Sequence, residues 1–156
     1  MRSMLSLITS QKFKSYLTLS AMLVIGNFFQ HTDNFQLFGI KVNFIFAILG
    51  IAPIFLETIG WYLLFIFPAL FIMSMPLPIS FEILKIGGLG ITFFYLNRWL
   101  RWRTFLNSCL LIILGIIFFY LMVDPVFLGT HTVSVALEIG STIAMGGIMY
   151  VILRII

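Results

Sequence analysis

Glu82, Lys85 and Glu138 are the side chains with the most chemistry to offer, because each interrupts a run that is otherwise apolar. The first two stand in "ISFEILKIGG" and the third in "VSVALEIGS". Glu82 and Lys85 are three positions apart, which puts them on one face of a helix within ion-pairing reach. Glu138 falls on the helix face of Ser141, Thr142 and Met145, well away from Gly140. His31 and His131 occupy polar breaks, "QHTDN" and "GTHTV". Two arrangements fit these residues. One is an outward-opening polar pocket for a small molecule, lined by Glu82, Lys85 and Glu138 and lidded by the segments that carry His31 and His131. The other is a shallow ion network whose side chains reach lipid headgroups and water.

Other chemistries find less to work with. His31, Asp33, Asp124 and His131 are metal ligands by type, but no spaced pair of histidines on a helix accompanies them, so no metal is expected. The chain has no H-E-x-x-H, G-x-S-x-G or G-x-G-D pattern, and no cluster of aspartates suited to phosphoryl transfer. Neither an enzyme nor a cofactor is therefore expected. Cys109 is the single cysteine and lies in an apolar run, which leaves no disulfide framework.

The elements that must position these groups follow from composition. Of 156 residues, 62% are hydrophobic and only 9% charged, the balance of an integral membrane protein and not of a soluble domain. A hydrocarbon core about 30 Å thick needs roughly 20 apolar residues per helix. Six segments come near this length: about 13–30, 40–56, 59–75, 79–96, 104–123 and 133–153. The breaks between them carry Pro, Gly or charge, as in "ETIG", "MPLP", "NRWLRWR" and "VDPVFLGTHT". The runs are continuously apolar where barrel strands would alternate. The expected fold is all-α: an integral membrane bundle of six transmembrane helices forming a single membrane domain over 1–156, with consecutive helices as antiparallel neighbours.

The formal charge of +4 does not form a basic stripe interleaved with aromatics, so nucleic acid is not an expected partner. The basic residues read as topology signals instead. With six spans, Lys12, Lys14, Arg98, Arg101, Arg103 and Arg154 share one side, whereas Lys41 is on the other, which places both termini in the cytoplasm. The expected location is the cytoplasmic (inner) membrane, multi-pass, with the bilayer and other membrane proteins as partners. On the last span Ala136, Gly140 and Ala144 recur every fourth residue and Gly147 continues the stripe. Small residues there allow close helix packing, within the bundle or against a partner subunit, and Gly87 and Gly88 on the fourth span offer a matching surface.

Over Leu37–Leu84 and the loop that follows, the chain resembles the MreD family of rod-shape-determining membrane proteins. The resemblance is carried by "FGIKVN", with Val42 where that family has proline, by "LETIGW" and "SMPLP", and by the basic loop "NRWLRWR". It implies a non-enzymatic scaffold in bacterial cell-shape determination and cell-wall elongation, working by binding other membrane proteins. An alternative from another class is the substrate-binding subunit of energy-coupling-factor vitamin transporters. These are also small six-helix bundles, and they take their ligand near the outer face. The scaffold reading leads by a small margin.

Overall fold

The computed structural model describes residues 2–31, 36–37, 40–74, 81–100 and 104–155, with side chains described over 12–30, 42–71, 81, 83–100 and 105–155. Apart from a two-rung antiparallel ladder of β1 (Gln36–Leu37) and β2 (Ile40–Lys41), the described chain is helical. The helices are α1 (Arg2–His31), α2 (Phe44–Phe55), α3 (Ile59–Ser74), α4 (Phe81–Trp99), α5 (Thr104–Val123), α6 (Pro125–Thr130) and α7 (Thr132–Ile155). Each of the six apolar segments corresponds to one long helix. Among the described residues, two helical segments, Phe105–Val123 and Thr132–Ile155, are long and apolar enough to cross a membrane.

The most hydrophobic stretch becomes the axis of the fold. Every residue of α2 from Phe44 to Pro53 is buried, and the helix packs against α1, α4, α5 and α7, while α3 leans chiefly on α1 and α4. The outer helices thus form a ring in the order α1, α3, α4, α5, α7 around α2. This corrects the expectation that consecutive helices are all neighbours: α2 is drawn into the middle, so α3 pairs with α1 and α4 instead. With 12 residues, α2 rises only about 18 Å, so both of its ends lie inside the bundle and their polar groups need partners there.

Contacts at the two ends establish an up-and-down arrangement. At one end Gln30 of α1, Asn43 before α2, Lys85 of α4, Met122 of α5 and Glu138 of α7 meet through hydrogen bonds. At the other end Lys12 pairs with Glu57 at 3.3 Å, and Tyr150 of α7 lies against Phe55 and Phe105. Asn107 Nδ2 there donates to Asn97 Oδ1 and to the Leu100 carbonyl, and Asn97 Nδ2 donates to the Pro53 carbonyl at 3.2 Å. Asn97, itself held by Asn107, thereby satisfies one carbonyl in the last turn of α2. Proline leaves a similar gap in α3. Pro68 has no N–H for the Leu64 carbonyl, and the Tyr16 hydroxyl of α1 donates to that oxygen at 3.3 Å.

Three boundaries differ from the sequence reading. α2 begins at Phe44, not 40, because Asn43 offers Oδ1 to the Phe46 N–H as an N-cap and the residues before it are extended. α1 reaches back to Arg2. The "VDPVFLGTHT" break contains a helix of its own, since Asp124 Oδ1 caps the Phe127 N–H at 2.9 Å and Pro125 takes the first turn, where a missing N–H costs nothing.

The small-residue stripe of α7 faces outward, so of its two sequence readings the packing within the bundle is not the one seen. Ala136, Gly140 and Ala144 are exposed, and a Cβ added to Gly140 would meet nothing within 4 Å. Gly147 touches only the edge of Phe105. The inward face of α7 carries Val135, Thr142, Gly146, Met149 and Leu153. Gly146 is the close approach, where a Cβ would meet Ile112 Cδ1 at 3.0 Å. On α4, Gly87 lies hard against Leu70 of α3, while Gly88 is exposed. The two glycine surfaces do not meet, because the main neighbours of α7 are α2 and α5.

Candidate functional site

The site is built around the start of α2. A helix N-terminus inside a bundle has several donors with no intrahelical partner, and two side chains from elsewhere in the fold serve them together with Asn43 itself. The Asn43 N–H donates to Thr142 Oγ1 at 3.2 Å, the Phe44 N–H to Gln30 Oε1 at 3.1 Å, and the Phe46 N–H to Asn43 Oδ1 at 3.3 Å. Asn43 Nδ2 then reaches Glu138 Oε1 at 3.1 Å. The other oxygen of that carboxylate, Oε2, accepts from the Tyr120 hydroxyl at 2.7 Å. Glu138 is thus held from two sides by neutral donors. Among the described residues the one ion pair is Lys12–Glu57, at the far end of the molecule.

Beside this cluster lies a cavity of about 350 Å³, lined by Gln30, Asn43, Ile45, Phe46, Ile86, Phe119, Tyr120, Phe127, Ser134 and Glu138. Of its lining residues, Ser134 is the one exposed at the surface. Its wall is aromatic on one side. Phe119 lies edge-on to Phe46, and Tyr120 stacks on Phe127, with ring centres 5.2 Å apart. The short helix α6 exists to hold Phe127 in this wall, and His131 backs it from behind, stacked on Phe127 at 4.5 Å with its Nδ1 2.8 Å from Thr130 Oγ1.

The residues singled out from sequence are distributed unevenly around this cavity. Glu138 lines it. Lys85 does not: its ammonium donates to the Met122 carbonyl at 2.9 Å and lies over the Phe81 ring at 5.3 Å, closing the α4–α5 seam. His131 acts through Phe127, and Asp124 is occupied in capping α6. The side chains of Glu82 and His31 lie outside the described residues, as do Asp33, Arg101 and Arg103. At the opposite end Lys14, Arg98 and Arg154 are exposed, with the Arg98 guanidinium over Phe94. Sequence reasoning missed Gln30, Asn43, Tyr120 and Phe127. Asn43 carried a signal, an asparagine directly before a long apolar run being an N-cap pattern. Nothing in the spacing ties Tyr120 to Glu138, because their meeting depends on the α6 connection.

Fold and site together define a helical bundle with a pocket that is aromatic on its walls and carries, among the described residues, one carboxylate. No protein-family model, no curated protein and no solved structure matches the chain.

Proposed function

We propose that this chain is a six-span protein of the cytoplasmic membrane that works by binding, and that its pocket takes a small solute from the outer side. The observation that carries this reading is the Glu138 cavity, whose volume of about 350 Å³ falls at the lower end of the roughly 300–1,000 Å³ usual for ligand sites. The membrane setting is supported by the surface. Phe28 of α1, Phe67 of α3, Leu84 of α4, Leu121 of α5 and Val151 of α7 are all exposed, an apolar coat that water would penalise and lipid would accept. Lys12, Lys14, Arg98 and Arg154 lie at the end away from the pocket, which supports reading that end as the cytoplasmic one. The reading is that of a transporter's substrate-binding subunit. Mass spectrometry of protein purified from its own membrane tests it. A small molecule should accompany the wild type and be missing from Ser134→Trp, which fills the cavity from its exposed rim. Identical spectra for the two would count against solute binding.

The scaffold reading, by resemblance of the MreD type, keeps one specific observation in its favour: the Ala136, Gly140 and Ala144 stripe is exposed and free for a partner helix. It requires Gly140→Leu to abolish copurification of membrane partners while leaving the protein folded. An unchanged set of partners would rule it out.

A further inference from the structure

We propose that the pocket selects an organic cation, an amine with a compact apolar or aromatic body. This inference deepens the solute-binding reading and rests on it.

The selectivity follows from the charge and shape of the lining. Among the described residues, Glu138 is the one carboxylate that lines the cavity, and no Lys, Arg or His lines it. Its oxygens each accept one hydrogen bond, from Asn43 Nδ2 and the Tyr120 hydroxyl. A carboxylate has about four lone-pair sites, so acceptor capacity remains on the side that faces the cavity. Both donors are neutral, which leaves the charge oriented and, among the described residues, without a counter-ion. Lys85, the described lysine at this end of the bundle, is engaged by the Met122 carbonyl and the Phe81 ring. A bound ammonium would supply the missing countercharge in a half-buried setting, where such pairing is worth more than in water.

The walls favour the same class of ligand. Phe119, Tyr120 and Phe127 line the cavity, but Phe127 is stacked between Tyr120 and His131, so the ring faces for a ligand must come from Phe119 and Tyr120. Aromatic faces attract a cation through the ring quadrupole and give an apolar body a surface to lie on. An anion of the same shape would meet Glu138 with like charge and would find no basic group among the described lining residues to offset it. One Asn43 N–H and the Tyr120 hydroxyl are engaged by Glu138, so the donors left to an anion are neutral ones such as the Ser134 hydroxyl.

The test uses the full-length protein in lipid nanodiscs and isothermal calorimetry with three probes of one shape: phenethylammonium, phenethyl alcohol and hydrocinnamate. The ammonium should bind most tightly, and Glu138→Gln should weaken it by about tenfold or more while leaving the alcohol unchanged. The glutamine retains acceptor and donor atoms for Tyr120 and Asn43, so folding is expected to survive. Ser134→Trp serves as a second variant at an exposed rim position and should abolish binding of every probe. If the alcohol or the acid binds as tightly as the ammonium, and Ser134→Trp still blocks it, the cation preference is overturned while the pocket reading stands. If phenethylammonium binding is the same in wild type, Glu138→Gln and Ser134→Trp, or is absent from all three, both are overturned.

Discussion

Thr142 shows no exposed surface, yet it is polar, and its hydroxyl is what the Asn43 N–H meets across the bundle. A buried donor stripped of its acceptor loses the desolvation energy that the bond had offset. Thr142→Val, nearly identical in shape, should therefore destabilise the protein by about 1–3 kcal/mol, read from reversible unfolding in mixed micelles. A variant as stable as wild type would mean that water reaches the start of α2. Tyr120→Phe removes one of the two donors that orient Glu138 and should weaken phenethylammonium binding more than it lowers stability. At this scale the sequence was partly legible. Glu138 stood out because an acid in an apolar run demands an explanation. Thr142 was noticed only as a residue on the same face, and Tyr120 not at all. Their roles come from hydrogen bonds between positions far apart in the chain, which no local pattern encodes.

At the scale of the element, two pairs of residues make the difference between faces measurable. Gly146 and Gly140 stand on the same helix, one packed against Ile112 and Ile51 and the other open. Gly146→Leu should overpack the α2–α5–α7 junction and cost about 1–3 kcal/mol, whereas Gly140→Leu should leave stability within about 0.5 kcal/mol of wild type. Equal effects at the two positions would invert the orientation of α7. In α3 the proline gap is bridged by Tyr16, so Tyr16→Phe should cost about 1 kcal/mol; no loss would mean that the Leu64 carbonyl finds another donor. Six helices were legible because long apolar runs bounded by Pro, Gly and charge leave little else to form. α6 was not, because Asp-Pro reads both as a break and as a cap followed by a first helical residue, and only the Asp124–Phe127 bond decides between them. The α7 stripe misled for a related reason. Small residues mark a surface that permits close approach, but the recurrence of Ala136, Gly140 and Ala144 does not say whether that surface turns inward.

For the whole molecule, the arrangement joins an all-buried central helix, a ring of five helices with apolar outer faces, basic residues at one end and a carboxylate pocket at the other. The centrality of α2 was foreshadowed by its composition, as it has no charged residue and only Asn43 at its threshold. The order of the ring was not, since adjacency in sequence suggested a simple meander. The central claim is that this ring crosses a membrane with the pocket at the outer end, and α7 offers the direct measurement. Ser134 and Arg154 are exposed at its two ends, 20 positions and so about 30 Å apart, which matches the hydrocarbon thickness of a bilayer. Single-cysteine variants at each position, in a Cys109→Ala background, can be treated in intact cells with a membrane-impermeant maleimide. The account predicts that the cysteine at position 134 is labelled from outside and the one at position 154 only after the membrane is opened. Labelling of both from the same side, or of position 154 alone in intact cells, would contradict it.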